Sequence, residues 1–269
     1  KAKKGKNNMI LNTIPEASRG RGAELEAKDR LIVALDVDTR DEAMAIVRDV
    51  GERCGLFKVG MQLHNSAGFA VTEEIMSMGY PVFLDLKFHD IPNTVGKAAS
   101  VVSRRGVNMF TVHGAGGGEM LRRAVQGARE AQGAEAEGGP LVLAITVLTS
   151  ISQGVLNDEV GLPGSVEENV VRFARLAQSA GVQGVVASPQ EIGPIRSVCG
   201  DDFVIVTPGV RPDWAATNDQ ARVMTPAEAM EAGASYLVVG RPITAAPDRA
   251  EAARRIVEEM AEGLARRKK

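Results

Sequence analysis

Short apolar, β-branched runs alternate with longer amphipathic segments along this chain, and that rhythm limits its possible folds more than any single motif. The apolar runs fall at 31–36, 56–60, 81–86, 108–113, 141–148, 184–187, 203–207 and 235–240. Stretches with helical periodicity lie between them, among them 41–52, 93–105, 119–131, 166–180 and 250–265. A helix that carries the chain from one strand to the next leaves those strands parallel. Eight such units predict an α/β fold whose sheet closes on itself, a (β/α)8 TIM barrel. The alternative, an open Rossmann-like sheet, usually has fewer strands, and no GxGxxG turn follows the first run.

Punctuation supports the count. Gly51, Gly55, Gly79, Gly106, Gly181 and Gly233 precede strand runs, where helices commonly end on a left-handed residue. Pro92, Pro189 and Pro226 fall where helices begin and a missing N–H costs least. Residues 1–29 are rich in Lys and Arg and poor in apolar side chains, which predicts a flexible N-terminal extension and leaves 30–269 as one barrel domain.

The balance of charge narrows the partners. With 32 Lys+Arg against 34 Asp+Glu the net charge is -2, so no global positive field holds nucleic acid or an anionic membrane. Cys54 and Cys199 form no CxxC, and His64, His89 and His113 have no metal-ligand spacing. Both cysteines read as small core residues. No apolar run is long enough to cross a bilayer, and the first residues lack the apolar core of a secretory signal, so the expected compartment is the cytoplasm.

Catalytic groups in a parallel barrel come from the C-terminal ends of the strands. Asp36 ends the first run, Lys58 lies late in the second, Asp85 and Lys87 close the third, and His113 ends the fourth. Alternation points Asp85 and Lys87 toward the mouth and Leu84 and Leu86 toward the helices. Asp90 lies beyond the strand end, so it serves the same mouth or reaches into a neighbouring chain; spacing leaves both open. A lone Asp-x-Lys pair would read as a structural ion pair. The second opposite-charge pair, Asp36 and Lys58, argues for a functional array, because burying such ions costs several kcal/mol each.

The loops after the seventh and eighth runs carry Pro208-Gly209-Val210-Arg211-Pro212 and Val239-Gly240-Arg241-Pro242-Ile243-Thr244. Small residues admit backbone N–H groups and each Arg offers a planar fork, so a phosphorylated ligand is expected there. Gln220, on the loop between them, reads by residue type as a solvated side chain that could also close over the phosphate. The run Gly114-Ala115-Gly116-Gly117-Gly118 lacks the GxxxxGK[ST] pattern and reads as a flexible turn into the fourth helix.

The segment Leu84-Asp85-Leu86-Lys87-Phe88-His89-Asp90-Ile91-Pro92-Asn93-Thr94-Val95 resembles the signature of the orotidine 5'-phosphate decarboxylase family. Ala34-Leu35-Asp36, Phe57-Lys58-Val59-Gly60, Leu148-Thr149-Ser150 and the two Arg loops match in the family's order. The resemblance implies a cofactor-free and metal-free homodimeric lyase that converts orotidine 5'-monophosphate to UMP and CO2, the last step of de novo UMP synthesis. It implies that Lys87 donates the proton to C6, with Asp85 beside the departing carboxylate and Lys58, Asp85, Lys87 and Asp90 forming the array. By the same resemblance Asp90 and Thr94 come from the partner subunit, and Asp36 and Lys58 hold ribose hydroxyls. Thr149 would lie by the pyrimidine, with Arg211, Gln220, Gly240 and Arg241 on the phosphate.

Two other readings compete. A sugar-phosphate decarboxylase or aldolase of the same superfamily would gather Asp-x-Lys-x-x-Asp around Mg²⁺. A non-catalytic phosphoribosyl-ligand sensor would keep the Arg loops and have no need of the array.

Overall fold

The computed structural model describes residues 25–131, 139–215 and 224–267. Eight parallel strands hydrogen-bond in chain order and close into a barrel. They are β1 Leu31–Ala34, β2 Leu56–Gly60, β3 Val82–Phe88, β4 Met109–His113, β5 Leu141–Ile145, β6 Gly184–Val186, β7 Val204–Pro208 and β8 Tyr236–Val239. Closure comes from β8 pairing with β1, where Leu31 faces Leu237 and Val33 faces Val239. The predicted (β/α)8 TIM barrel is therefore the fold.

The connecting helices are α1 Arg40–Val50, α2 Met61–Ala67, α3 Ala70–Ser77, α4 Pro92–Arg104, α5 Gly117–Glu130 and α6 Val166–Ser179. They continue with α7 Ile192–Cys199, α8 Pro226–Ala232, α9 Arg241–Thr244 and α10 Arg249–Arg267. Capping boxes built on Thr39 with Glu42, Ser165 with Glu168 and Thr225 with Glu228 start α1, α6 and α8. Among the described residues no helix is long and apolar enough to cross a membrane.

Strand parity divides the core in two. Ile32, Leu56, Phe83, Met109, Leu143, Val206, Tyr236 and Val238 fill the barrel interior. Their neighbours, such as Val33, Phe57, Leu84, Phe110 and Val142, pack outward against the helices. Cys54 and Cys199 are buried in that outer layer, as expected, and burial pushes both thiols up from their ordinary pKa.

Several boundaries differ from expectation. β1, β5 and β8 leave the ladder at Ala34, Ile145 and Val239, so Asp36, Thr149 and Gly240 stand on loops above the rim. Gly51, Gly79, Gly106, Gly181 and Gly233 have positive φ, and Gly55 does not. A Cβ on Gly55 would lie 2.2 Å from the carbonyl oxygen of Asp29, so close approach explains that glycine. Of the N-terminal stretch, residues 1–24 lie outside the described residues, while Leu25 packs against the interior cluster.

The glycine-rich run forms a 3-10 turn over Gly114–Gly116 that leads into α5. It is packed rather than loose: a Cβ on Gly114 would lie 2.8 Å from the Ile145 carbonyl oxygen.

Candidate active site

The interior changes character two residues further up each of three strands. Leu56 is followed on the same face by Lys58, Phe83 by Asp85 and Met109 by Thr111, so polar groups form the layer above the apolar plug. Lys58 and Asp85 of this layer line a cavity of roughly 410 Å³ at the C-terminal mouth, a size suited to a small ligand. Asp36, Lys58, Asp85, Lys87, Thr149, Arg211, Gly240 and Arg241 all line it. Eight of the residues singled out from the sequence thus share one pocket.

Asp85 sits at the centre of the charges. Its Oδ2 lies 3.0 Å from the Lys87 Nζ and 3.7 Å from the Lys58 Nζ. Lys58 also donates to Asp36 Oδ1 at 2.9 Å. Lys58 is 8% exposed, and stripping water from an unpaired ammonium would cost several kcal/mol; two flanking carboxylates offset that cost. Gly60 makes room for the pair, because a Cβ there would stand 3.0 Å from the Lys58 Nζ and 3.2 Å from Asp36 Oδ1. Apart from the resemblance, Gly60 reads as an ordinary strand end, and the room it leaves is visible only in the structure.

Lys87 reaches the mouth by a different route from simple alternation. Leu84 pairs with Phe110 and Phe88 with Val112, so β3 spends two more residues than β4 between those points. Within this bulge Lys87 has φ 55, the one positive φ outside glycine among the described residues. Such a conformation costs about 1–3 kcal/mol and persists only where the surroundings impose it. The predicted facing still holds: Leu84 and Leu86 turn to the helices, and Asp85 and Lys87 to the pocket.

Thr111 imposes part of that geometry and was not singled out by sequence. It is fully buried, accepts from the Lys87 backbone N–H at 2.8 Å and donates to Asp85 Oδ1 at 3.0 Å. The available signal was its parity with Met109 on the inner face.

Arg211 and Arg241 follow β7 and β8, and β7 stands across the closed barrel from β3. Both arginines line the same pocket as the charged array. Gly240 is the N-cap of α9, and a Cβ on it would approach only Ala34 Cβ, at 3.7 Å. Gln220 lies outside the described residues.

Asp90 and Thr94 do not line the pocket of their own chain. Both are exposed, around the start of α4, and Asp90 Oδ1 accepts from the Ile91 N–H at 2.6 Å. His113 is a satisfied rim histidine, its Nδ1 accepting from the Ala115 N–H at 3.3 Å. His89 stacks on it, the two imidazole centroids 4.9 Å apart. Burial, then the proximity of His89 and Lys87, lowers the pKa of His113. His64 meets Phe69 edge-on at 6.2 Å.

A profile of the orotidine 5'-phosphate decarboxylase / HUMPS family matches residues 29–256. A Heliobacterium modesticaldum protein named orotidine 5'-phosphate decarboxylase is 86% identical over 243 residues, spanning 90% of this chain and 100% of its own length. The chain belongs to this family. Another orotidine 5'-phosphate decarboxylase, from Syntrophotalea carbinolica, is 54% identical over 240 residues, or 89% of this chain and 98% of the relative. The crystal structure of orotidine 5'-phosphate decarboxylase from Lactobacillus acidophilus superposes with a TM-score of 0.77 at 39% identity. That match covers 86% of this chain and 98% of the other. The orotidine 5'-phosphate decarboxylase / HUMPS profile begins before β1 and ends within α10, so it takes in all eight strands.

Proposed function

We propose that this protein decarboxylates orotidine 5'-monophosphate to UMP and CO2, with Lys87 as proton donor and without metal or cofactor. The observation that carries the reading is the chain of contacts Lys58, Asp85, Lys87 in one pocket with Arg211 and Arg241. As CO2 departs, the C–C bonding pair stays on C6 of the pyrimidine as a localised carbanion. The Lys87 ammonium transfers a proton to that carbon, becomes an amine and recovers its proton from water.

A fixed cation aimed at the developing charge lowers the barrier because it is already oriented. Two unit charges 4 Å apart interact by roughly 4 kcal/mol at an effective dielectric of about 20, while large enzymatic accelerations need up to about 23 kcal/mol. Binding energy from ribose and phosphate must therefore contribute. In this reading Asp36 and Lys58 take the ribose hydroxyls, Thr149 lies by the pyrimidine, and Arg211, Gly240, Arg241 and Gln220 hold the phosphate.

The charge pattern disfavours the Mg²⁺ reading. Asp85 already serves two ammonium groups and a hydroxyl, and Asp36 pairs with Lys58, so a divalent cation would have to displace them. Asp90 and Thr94, exposed and turned from their own pocket, suit a homodimer in which each copy completes the other's site. We assign the enzyme to the cytoplasm, acting on a small phosphorylated ligand, with no nucleic-acid or membrane partner.

A UMP-forming assay before and after exhaustive treatment with EDTA tests the reading. Turnover of orotidine 5'-monophosphate should be unchanged by the chelator. Activity restricted to a keto-sugar phosphate with added Mg²⁺ would instead establish the rival, and binding without CO2 release would establish the sensor.

A further inference from the structure

We propose that Thr111 is a positioning residue for decarboxylation, setting the orientation of both Asp85 and Lys87 through one hydroxyl; this rests on the function proposed above. A hydroxyl has one proton to give and lone pairs to accept with. The Lys87 backbone N–H can only donate, so Thr111 Oγ1 accepts from it at 2.8 Å and its own proton goes to Asp85 Oδ1 at 3.0 Å. The polarity of the link is thus fixed by its partners.

Two independent features make this hydroxyl more than a buried polar group seeking a neighbour. First, Lys87 lies in the β3 bulge with a left-handed backbone, and Thr111 Oγ1 receives its N–H. Second, with Asp85 Oδ1 held by Thr111, Oδ2 is the oxygen presented to both Lys87 and Lys58. Backbone N–H, hydroxyl, carboxylate and ammonium close a ring that begins and ends on Lys87. A Thr111 without its hydroxyl would free the carboxylate to turn and the bulge to relax, and both movements carry the ammonium off its target. Thr111 does not line the pocket, so it acts through the other two residues.

The test compares wild type, Thr111→Val, which keeps the shape and removes the hydroxyl, and Thr111→Ser, which keeps the hydroxyl. Steady-state kinetics on orotidine 5'-monophosphate are measured beside the affinity for UMP, which has no carboxylate to meet Asp85. Thr111→Val should lower kcat by about 10²-fold, the scale of an ångström-sized misplacement, with KM and UMP affinity within about 3-fold of wild type. Thr111→Ser should recover kcat to within about 5-fold of wild type. If Thr111→Val does not fold, Thr111→Ala goes through the same measurements.

A hydroxyl-free variant that retains kcat, a serine variant as impaired as valine, or parallel loss of kcat and UMP affinity would each overturn the proposal. Wild-type protein that makes no UMP would sink the decarboxylase reading itself, an outcome distinct from an active wild type with an equally active Thr111→Val.

Discussion

Lys87→Ala should give a folded barrel that has lost turnover by at least about 10⁴-fold, since the change removes both a proton donor and a preorganised charge. The fold should survive because the deletion strands no buried partner. Asp85 would keep the Thr111 hydroxyl at 3.0 Å and the Lys58 ammonium at 3.7 Å. The strain of a left-handed non-glycine residue would stay much as it is, because alanine also has a Cβ. UMP formation and thermal melting, followed on the same preparation, check both halves. Activity within tenfold of wild type would remove Lys87 from the role given to it.

Orotidine lacking its phosphate should lose kcat as well as affinity. A charge-assisted hydrogen bond contributes roughly 1.5–3 kcal/mol, and the phosphate engages two guanidinium groups in the proposed pose. At about 3 kcal/mol each, their joint loss would lower kcat/KM by roughly 10⁴-fold. Arg241→Ala removes one of the two and should cost about 10 to 10²-fold on the full substrate. Steady-state kinetics with both substrates separate the cases. If phosphate removal raised KM and left kcat intact, its binding energy would serve retention alone, and the alignment of the reacting end would need another source.

Much of this architecture was legible because a barrel strand is buried on both faces and its period is fixed. Eight apolar runs predicted eight strands, and alternation assigned Asp85 and Lys87 inward and Leu84 and Leu86 outward. The gathering of Asp36, Lys58, Arg211 and Arg241 with them followed from placing catalytic groups at strand ends. What escaped were features set by neighbours in space. The β3 bulge depends on how β4 pairs with it, and no pattern within 81–88 announces a left-handed Lys87. Gly60 matters through the volume it leaves for Lys58 and Asp36, and His89 through a ring presented by another strand. Gly55 was misread for a related reason, since its constraint is a passing backbone and not its own φ.

Thr111 lies between these extremes. Parity with Met109 placed it inward, yet threonine is common in strands, and its value appears only once Asp85 and the Lys87 backbone converge on it. Charged residues announce themselves at a strand end because burying them is costly. A hydroxyl that serves them does not.

A crystal structure of the protein with UMP bound tests the central claim most directly, because it locates both ends of the ligand at once. The account predicts the phosphate against the guanidinium groups of Arg211 and Arg241, and C6 roughly 3–3.5 Å from the Lys87 Nζ. A phosphate seated away from both arginines, or a pyrimidine with C6 turned out of reach of Lys87, would contradict it.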